Sequence, residues 1–410
     1  MNEDPAHDQV REPLPYLLVV NSLRGGGAER QAALLATHLP PTEICLLEQG
    51  QVYDTGSAPV HVIGHGPFRS PLPRLLEVPL LAQRLAAHRQ PVVVSFLERS
   101  NFVNILSRSR APHAVVVSER GHPTRYYSQG LRRLQLPLIR RLYPRADVVV
   151  TNSHGAARDL ASHLRVPRSR LQVIPNMLDT RTIRLRAQEP LPHGAEAWFQ
   201  DPVVVAMGRL SGEKGTWHLV RAFQTVRRRL RARLLLLGDG ALRPYLETLV
   251  HRLGLEADVH FAGFVAQPWA FLARSTVFVL PSLWEGLPNA LLEAMASGVA
   301  VIAADCRSGP REILDGPEHL DREARGVEYC AHGVLVPVAS GRRWGPDDPL
   351  EPAERFLAEA MTALLEDRAR RLSYVRAGLA RAAMFEPARV VPLWRALIEA
   401  GVHGTPGPGR

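Results

Sequence analysis

PSLWEGLPNALLEAMASGVAVIAAD, residues 281–305, decides how the chain is read. Residues 275–280, just before it, are apolar and β-branched, and so are 298–303 at its end, so each reads as a buried strand. Between them, 290–296 is a run of strong helix formers. Pro288 suits the first turn of that helix, where a missing N–H costs nothing. Strand, loop, helix and strand make the repeating unit of a parallel α/β sheet. Glu285 falls in the loop and Glu293 about a turn and a half into the helix. The two carboxylates therefore bracket a helix N-terminus, where free amides and the helix dipole suit a phosphate. Carboxylates beside a phosphate repel it unless they hold hydroxyls on either side. A nucleotide-sugar offers that order: ribose hydroxyls, diphosphate, sugar hydroxyls.

The same alternation extends outward in both directions. Strands are expected at 16–20, 43–47, 59–63, 91–96, 114–118 and 147–151, with helices between most of them. After a Pro-marked linker at 187–202 the pattern restarts, with strands at 203–207, 233–237 and 257–262 and helices at 215–230, 241–253 and 267–273. This predicts an α/β chain of two doubly wound parallel-sheet domains in series, whose ligands bind at the carboxyl ends of the strands. Residues 316–331 and 339–351 read as surface loops, 352–366, 368–383 and 389–400 as helices, and the last seven residues as a disordered tail.

Composition narrows the class. The 410 residues suit two domains, and 46% apolar with 22% charged is ordinary for a globular enzyme. Cys45, Cys306 and Cys330 are odd in number and widely spaced, which argues for a reducing compartment and against a disulfide framework or zinc site. No apolar run reaches 18 residues and the N-terminus is polar, so neither a membrane span nor a signal peptide is expected. The net charge of +10 is almost wholly arginine, and Lys214 is the only lysine. An anionic partner and a compositional preference for arginine both account for that charge. No nucleic-acid-binding motif accompanies it.

Several strand ends carry polar groups. Gly25, Gly26 and Gly27 follow the first strand, where glycine lets backbone amides approach a ligand. Arg209 and Lys214 sit in the loop after 203–207, placed to grip a diphosphate, the guanidinium on two oxygens and the ammonium as a point charge. Backbone groups at Phe264 and Val265 could read a base, and Gly238-Asp239-Gly240 makes a turn nearby. Asn101 follows 91–96, and Glu119, Arg120 and His122 follow 114–118, marking an acceptor site. Segment 125–145 interleaves arginine with apolar residues. Tyr127, Leu131, Leu134, Leu138 and Leu142 fall near helical spacing with Arg132, Arg133, Arg140 and Arg141 off that stripe. Such a helix either packs on the sheet or lies on an anionic membrane surface.

Glu285 and Glu293, preceded by Gly208-Arg209 and Lys214-Gly215, resemble the donor site of the retaining glycosyltransferases of family 4, with their two-domain GT-B fold. The resemblance covers most of the chain. It includes Gly25–Arg30, Ile174-Pro175-Asn176 with Asp179, and Phe385-Glu386 before a terminal helix that crosses back to the first domain. It implies an N-terminal Rossmann-like acceptor domain at 1–190, a nucleotide-sugar domain at 191–384 and a crossing helix with tail at 385–410, the two sheets facing a central cleft. Glu293 would hold the ribose and Glu285 the transferred sugar. Arg209 and Lys214 would neutralise the diphosphate, with help from backbone amides around Gly286, Leu287, Pro288, Asn289, Ala290 and Leu291. No metal or other cofactor is expected, since the nucleotide-sugar, UDP by family preference, is a co-substrate. The partners implied are that donor and a glycan or polyprenyl-linked acceptor, in the cytoplasm or at the inner face of its membrane. Many family members carry a histidine just after the strand at 114–118. Here Glu119, Arg120 and His122 follow, a form resembling the subgroup that builds cell-surface or lipid-linked glycans from N-acetylhexosamine donors. The insertion at 316–350 departs from shorter members. The competing readings are a nucleotide-sugar epimerase or phosphorylase on the same fold, and a non-enzymatic basic binding protein.

Overall fold

The computed structural model describes residues 14–64, 76–88, 91–126 and 130–404. By internal contacts the chain divides into two units: residues 1–152, 156–177 and 387–410 form the first, and residues 153–155 and 178–386 the second.

The first unit is built on a seven-stranded parallel sheet in the order β3-β2-β1-β4-β5-β6-β7. Its strands are β1 (Leu14–Val20), β2 (Pro41–Leu46), β3 (Val60–Val62), β4 (Val92–Phe96), β5 (Ala114–Glu119), β6 (Val148–Thr151) and β7 (Leu171–Val173). The central strands are apolar along their length because helices cover both faces. Leu17 to Val20, Val92 to Val94 and Val115 to Val117 are almost wholly buried. The order reverses between β1 and β4, so the loops after those strands flank the crevice where doubly wound sheets bind ligands. Asn21 ties the loop after β1 to the helix Glu98–Ser107 that follows β4 by accepting from both the amide and the hydroxyl of Ser100, at 3.1 and 2.7 Å.

The second unit repeats the design with β8 (Val203–Met207), β9 (Arg233–Leu237), β10 (Val259–Gly263), β11 (Val277–Leu280), β12 (Ala300–Ala304), β13 (Glu328–Tyr329) and β14 (Val334–Val336), in the order β10-β9-β8-β11-β12-β14-β13. All pairs are parallel except β13 with β14 at the edge. Here the order reverses between β8 and β11. Strands β13 and β14 lie within or next to the stretch expected to be loop, and β14 is a buried three-residue strand too short to show a period.

The division between the units falls at Met177 and Leu178 rather than at residue 190. Helix Thr180–Ala187 belongs with the second unit because Ile183 packs into that unit's core. The last helix, Pro387–Gly404, returns to the first unit, where Val390, Trp394, Leu397 and Ile398 join its core and Trp394 stacks on Phe96 at 5.8 Å. The chain enters and leaves the second unit side by side. Leu178 N–H donates to the Phe385 carbonyl at 2.8 Å, and the Thr180 hydroxyl donates to Glu386. The expected tail beyond Gly404 lies outside the described residues, as does Tyr127.

Segment 125–145 departs from its expected form. Pro137 and the glycine at 130 divide it into a short helix at Pro123–Tyr126, a 3-10 turn at Gly130–Gln135 and a helix at Leu136–Leu142. The apolar stripe is displaced with it. Ile139 and Leu142 are buried, whereas Leu134 is 69% and Leu138 41% exposed.

Candidate functional site

In the second unit the loops after β8 and β11 meet, because those strands are neighbours in the sheet, Val204 pairing with Val277. Lys214 Nζ donates to Glu285 Oε1 at 2.6 Å, and the Ser282 hydroxyl donates to the same oxygen at 2.7 Å. Ser308 holds the Glu285 backbone by donating to its carbonyl. Leu283 N–H donates to the Glu213 carbonyl at 2.8 Å, which locks one loop to the other. Two glycines make this approach possible. Gly215 has φ 59°, and a Cβ there would lie 2.5 Å from the Pro281 carbonyl oxygen. Gly309 has φ 90° and would place a Cβ 2.5 Å from Pro288 and 2.7 Å from the Gly286 carbonyl. Burial alone would lower the Lys214 ammonium, but the Glu285 charge and hydrogen bond outweigh it, with Glu213 adding, so it is held above the ordinary lysine range. Arg209 is exposed and has no ion-pair partner among the described residues.

Glu293 lies on helix Asn289–Ala296, 5% exposed, and accepts from the Trp269 indole at 3.0 Å. Trp269 opens the short helix Trp269–Arg274 after β10, and nothing in its sequence context marks it as a partner of a carboxylate. Pro288 is the N-cap rather than the first helical residue. It carries no N–H, and Leu291 N–H is taken up by the Pro288 carbonyl at 3.1 Å. Of the amides expected to face a phosphate, that of Ala290 has no acceptor among the described residues. Leu287 is buried, and Gly286 leads into the cap. At the neighbouring strand ends, Gly238 N–H donates to the Gly263 carbonyl at 2.7 Å, bringing that turn beside Phe264, which is 82% exposed, and Val265.

The insertion is ordered. Arg221, 1% exposed on helix Thr216–Arg229, donates to Glu354 at 2.9 Å and to the carbonyls of Gly345, Asp348 and Pro349. His218 meets the same Glu354 oxygen at 2.8 Å, and Trp217 donates to the Arg342 carbonyl at 3.1 Å. His218, Glu351 and Glu354 are also the one grouping among the described residues whose donor atoms are close enough to hold a metal. Arg221 serves Glu354, and Ser340 and Trp344 serve Glu351, so the two carboxylates fasten the loop, while His218 Nε2 stays buried without a hydrogen-bond partner among the described residues.

In the first unit the glycine turn is closed by its own helix. Helix Gly27–His38 begins at the last of the three glycines. Glu29 takes the amides of Gly25 and Gly26 together with the Ser22 hydroxyl, so the amide of Gly26 is not open to a ligand. Around β5, Glu119 is 7% exposed and accepts from the Tyr143 hydroxyl at 3.0 Å and from Gly121 N–H at 3.2 Å. Burial, then the Glu98 charge, pushes the Glu119 carboxyl up to about 7. Asn101 is fully buried. Its amide donates to Tyr143 at 2.9 Å and to the Ser118 carbonyl at 3.2 Å, and its oxygen accepts from Ser95 at 2.8 Å. It is corrected from an acceptor contact to a brace behind Tyr143 and Glu119. Arg120 stacks over Phe96 and Trp394 at 4.9 and 5.4 Å and donates to Ile174 and Asn176, both at 3.2 Å. Burial, only partly offset by Glu119, pulls its guanidinium down to about 9. It thereby ties β5 to the end of the first unit's chain. His122 is buried with Nδ1 3.4 Å from Asp159, a carboxylate that also accepts from Thr124 at 2.6 Å.

Two family models cover the chain in sequence: "Glycosyltransferase Family 4" matches residues 25–182 and "Glycosyl transferases group 1" matches residues 201–340. An uncharacterised glycosyltransferase of Methanocaldococcus jannaschii is 32% identical over 289 residues, covering 69% of this chain and 71% of the relative. A Campylobacter jejuni protein named N-acetylgalactosamine-N,N'-diacetylbacillosaminyl-diphospho-undecaprenol 4-alpha-N-acetylgalactosaminyltransferase is 26% identical over 384 residues, 91% of this chain and 96% of its own. Among solved structures, the Anabaena protein HepE, crystallised with UDP, matches at a TM-score of 0.73 and 19% identity, with 94% and 99% of the two chains covered, which supports the fold alone. Two doubly wound sheets with Lys214, Glu285 and Glu293 at the switch point of the second, and family matches along both, place this chain in glycosyltransferase family 4, with the GT-B fold.

Proposed function

We propose that the second unit binds a nucleotide-sugar, UDP-linked, and that the enzyme transfers its hexose or N-acetylhexosamine, with retained configuration, to a glycan or lipid-linked acceptor of the cell envelope. The observation that carries this reading is the Lys214–Glu285 pair at 2.6 Å, with Arg209, which has no ion-pair partner among the described residues, five positions before Lys214. An ammonium has three donors, so Lys214 can hold Glu285 and still receive a diphosphate oxygen. Arg209 adds a fork for two more. Together they stabilise the charge that develops on the leaving nucleoside diphosphate, without a metal. Glu285, fixed by Lys214 and Ser282, is left to accept from a hydroxyl of the transferred sugar. Glu293, oriented by Trp269, holds the ribose. The acceptor class is supported by the Campylobacter relative, whose name describes transfer of N-acetylgalactosamine to a diphospho-undecaprenol-linked acceptor.

A thermal-shift panel of UDP-, GDP- and ADP-sugars tests the donor. A ligand at about 100 times its dissociation constant stabilises the fold by about 2.7 kcal/mol. UDP-sugars are expected to shift the transition and Lys214→Ala to abolish the shift, and transfer is expected to survive a chelator. Conversion of the donor to an epimer or to a sugar phosphate with no acceptor added would overturn the transferase reading.

A further inference from the structure

One face of the first unit is not used by the donor chemistry. From Arg120 to Ala146 the sequence holds seven arginines and no acidic residue. Arg133 and Leu134 at the end of the 3-10 turn and Pro137, Leu138, Arg140 and Arg141 on the helix that follows are all exposed, whereas Ile139 and Leu142 of that helix are buried. An apolar pair of this size in the open, set among cations, is the reverse of a helix packed by its leucines. Beside it runs an open groove lined by Leu136, Pro137, Arg140, Arg141, His163 and Arg165. Arg165 ends helix His154–Leu164 with φ 59°, a position that favours glycine, and its side chain faces this groove. Asp159, which meets the groove residue His163, is buried and also occupied by Thr124 and His122. Asp147 pairs with Arg108. Arg140, Arg141 and Arg165 have no ion-pair partner among the described residues.

We propose that this face docks on an anionic lipid bilayer, with Leu134 and Leu138 entering the headgroup boundary and Arg133, Arg140, Arg141 and Arg165 meeting lipid phosphates. Charge complementarity selects the occupant. A second copy of this face would bring the same arginines against one another, whereas a phospholipid surface supplies phosphate and apolar chains together. Among the described residues no helix is long and apolar enough to cross a membrane. The inference is separate from the donor site, and the donor's thermal shift reads that site independently.

The test is co-sedimentation of the full chain with vesicles of phosphatidylcholine alone and of phosphatidylcholine mixed with phosphatidylglycerol. Binding is expected only to the mixed vesicles and is expected to weaken as salt rises. Arg140→Ser with Arg141→Ser should lower partitioning roughly thirtyfold. Leu134→Ser with Leu138→Ser should lower it while leaving the salt dependence intact. Both double variants should keep the wild-type donor shift, which shows that they fold. The proposal is overturned by equal binding to neutral vesicles, by no binding to either, or by arginine variants that sediment like wild type. It is also overturned if the wild-type chain is a dimer that the leucine variant splits, or if inorganic diphosphate shifts the melting transition through Arg140 and Arg141 while vesicles do not bind.

Discussion

Lys214 Nζ lies 2.6 Å from Glu285 Oε1, and the two residues hang from adjacent central strands, β8 and β11. Because Lys214 is the only lysine, it is the one side-chain amine that an amine-directed acylating reagent can mark. Acylation removes the charge that the proposed site offers to a donor diphosphate. We expect acylation to abolish donor binding and a saturating donor to protect Lys214 from the reagent. Mass spectrometry of the modified peptide, with and without donor, reads both. Lys214→Ala is expected to lower kcat by about 10²–10³, the range for losing one group aimed at developing charge. Because the alanine also leaves Glu285 without its cation, the effects of Lys214→Ala and Glu285→Ala should be less than additive, and full additivity would refute their action as a unit.

Trp269 makes a separable contribution. Its indole donates to Glu293 at 3.0 Å, and Glu293 is the proposed ribose ligand. Trp269→Phe keeps most of the packing and removes the donor, at a cost of about 1–3 kcal/mol for leaving a charged, buried acceptor short of a partner. We expect the KM for the donor to rise roughly tenfold with kcat nearly unchanged, since the ribose contact is the same in ground and transition states. Steady-state kinetics with donor varied checks this. A fall in kcat at unaltered KM would place Trp269 in the chemical step instead.

Much of this was readable before any coordinates. Apolar strands alternating with helices announce parallel sheets, and Glu285, Glu293, Arg209 and Lys214 are conspicuous because charged residues crowd the ends of two such strands. What escaped depends on tertiary contact. The pairing of Lys214 with Glu285 requires two loops 71 positions apart to meet. Trp269, Tyr143 and Arg221 read as ordinary core or surface residues until a buried carboxylate faces each of them. Strand β14 has three residues, too few for a period. The leucines at 134 and 138 mislead because Pro137 and a 3-10 turn shift the helical phase, so counting by α-helical spacing assigns them to the wrong face.

Arg221 and Glu354 test how far the insertion depends on one buried pair. They are 1% and 0% exposed, and Arg221 also ties down the carbonyls of Gly345, Asp348 and Pro349. Arg221→Ala leaves Glu354 charged and buried with His218 as its remaining basic neighbour, and should cost about 3–5 kcal/mol. The loop it holds reaches the proposed donor site, since Gly341 packs so closely on Leu283 that a Cβ there would lie 2.9 Å from the leucine side chain. Weaker donor binding should accompany the lost stability. Replacing both partners by methionine should recover part of the stability, because no unpaired charge remains. Urea midpoints of the three variants decide, and a double variant no better than Arg221→Ala would show that the loop contacts, not the ion pair, carry the effect.

Glu119 makes stability depend on pH in a direction opposite to most carboxylates. Its carboxyl is raised from 4.5 to about 7, so the folded chain keeps a proton that the unfolded chain releases. Its contribution is then full below about pH 4.5, declines as pH rises, and is lost above about pH 7, for a total of about 3 kcal/mol. Glu119→Gln supplies a permanently neutral group of the same shape. The difference between wild-type and variant unfolding free energies should therefore grow in the variant's favour from pH 5 to pH 7 and level off beyond. The Tyr143 hydrogen bond opposes the rise, so Tyr143→Phe should push the Glu119 transition to still higher pH. Chemical denaturation across that range measures all three proteins. Parallel profiles for wild type and Glu119→Gln would mean that Glu119 is ionised in the folded state throughout, and that the enclosure by Tyr143 and β5 does not exclude water from it.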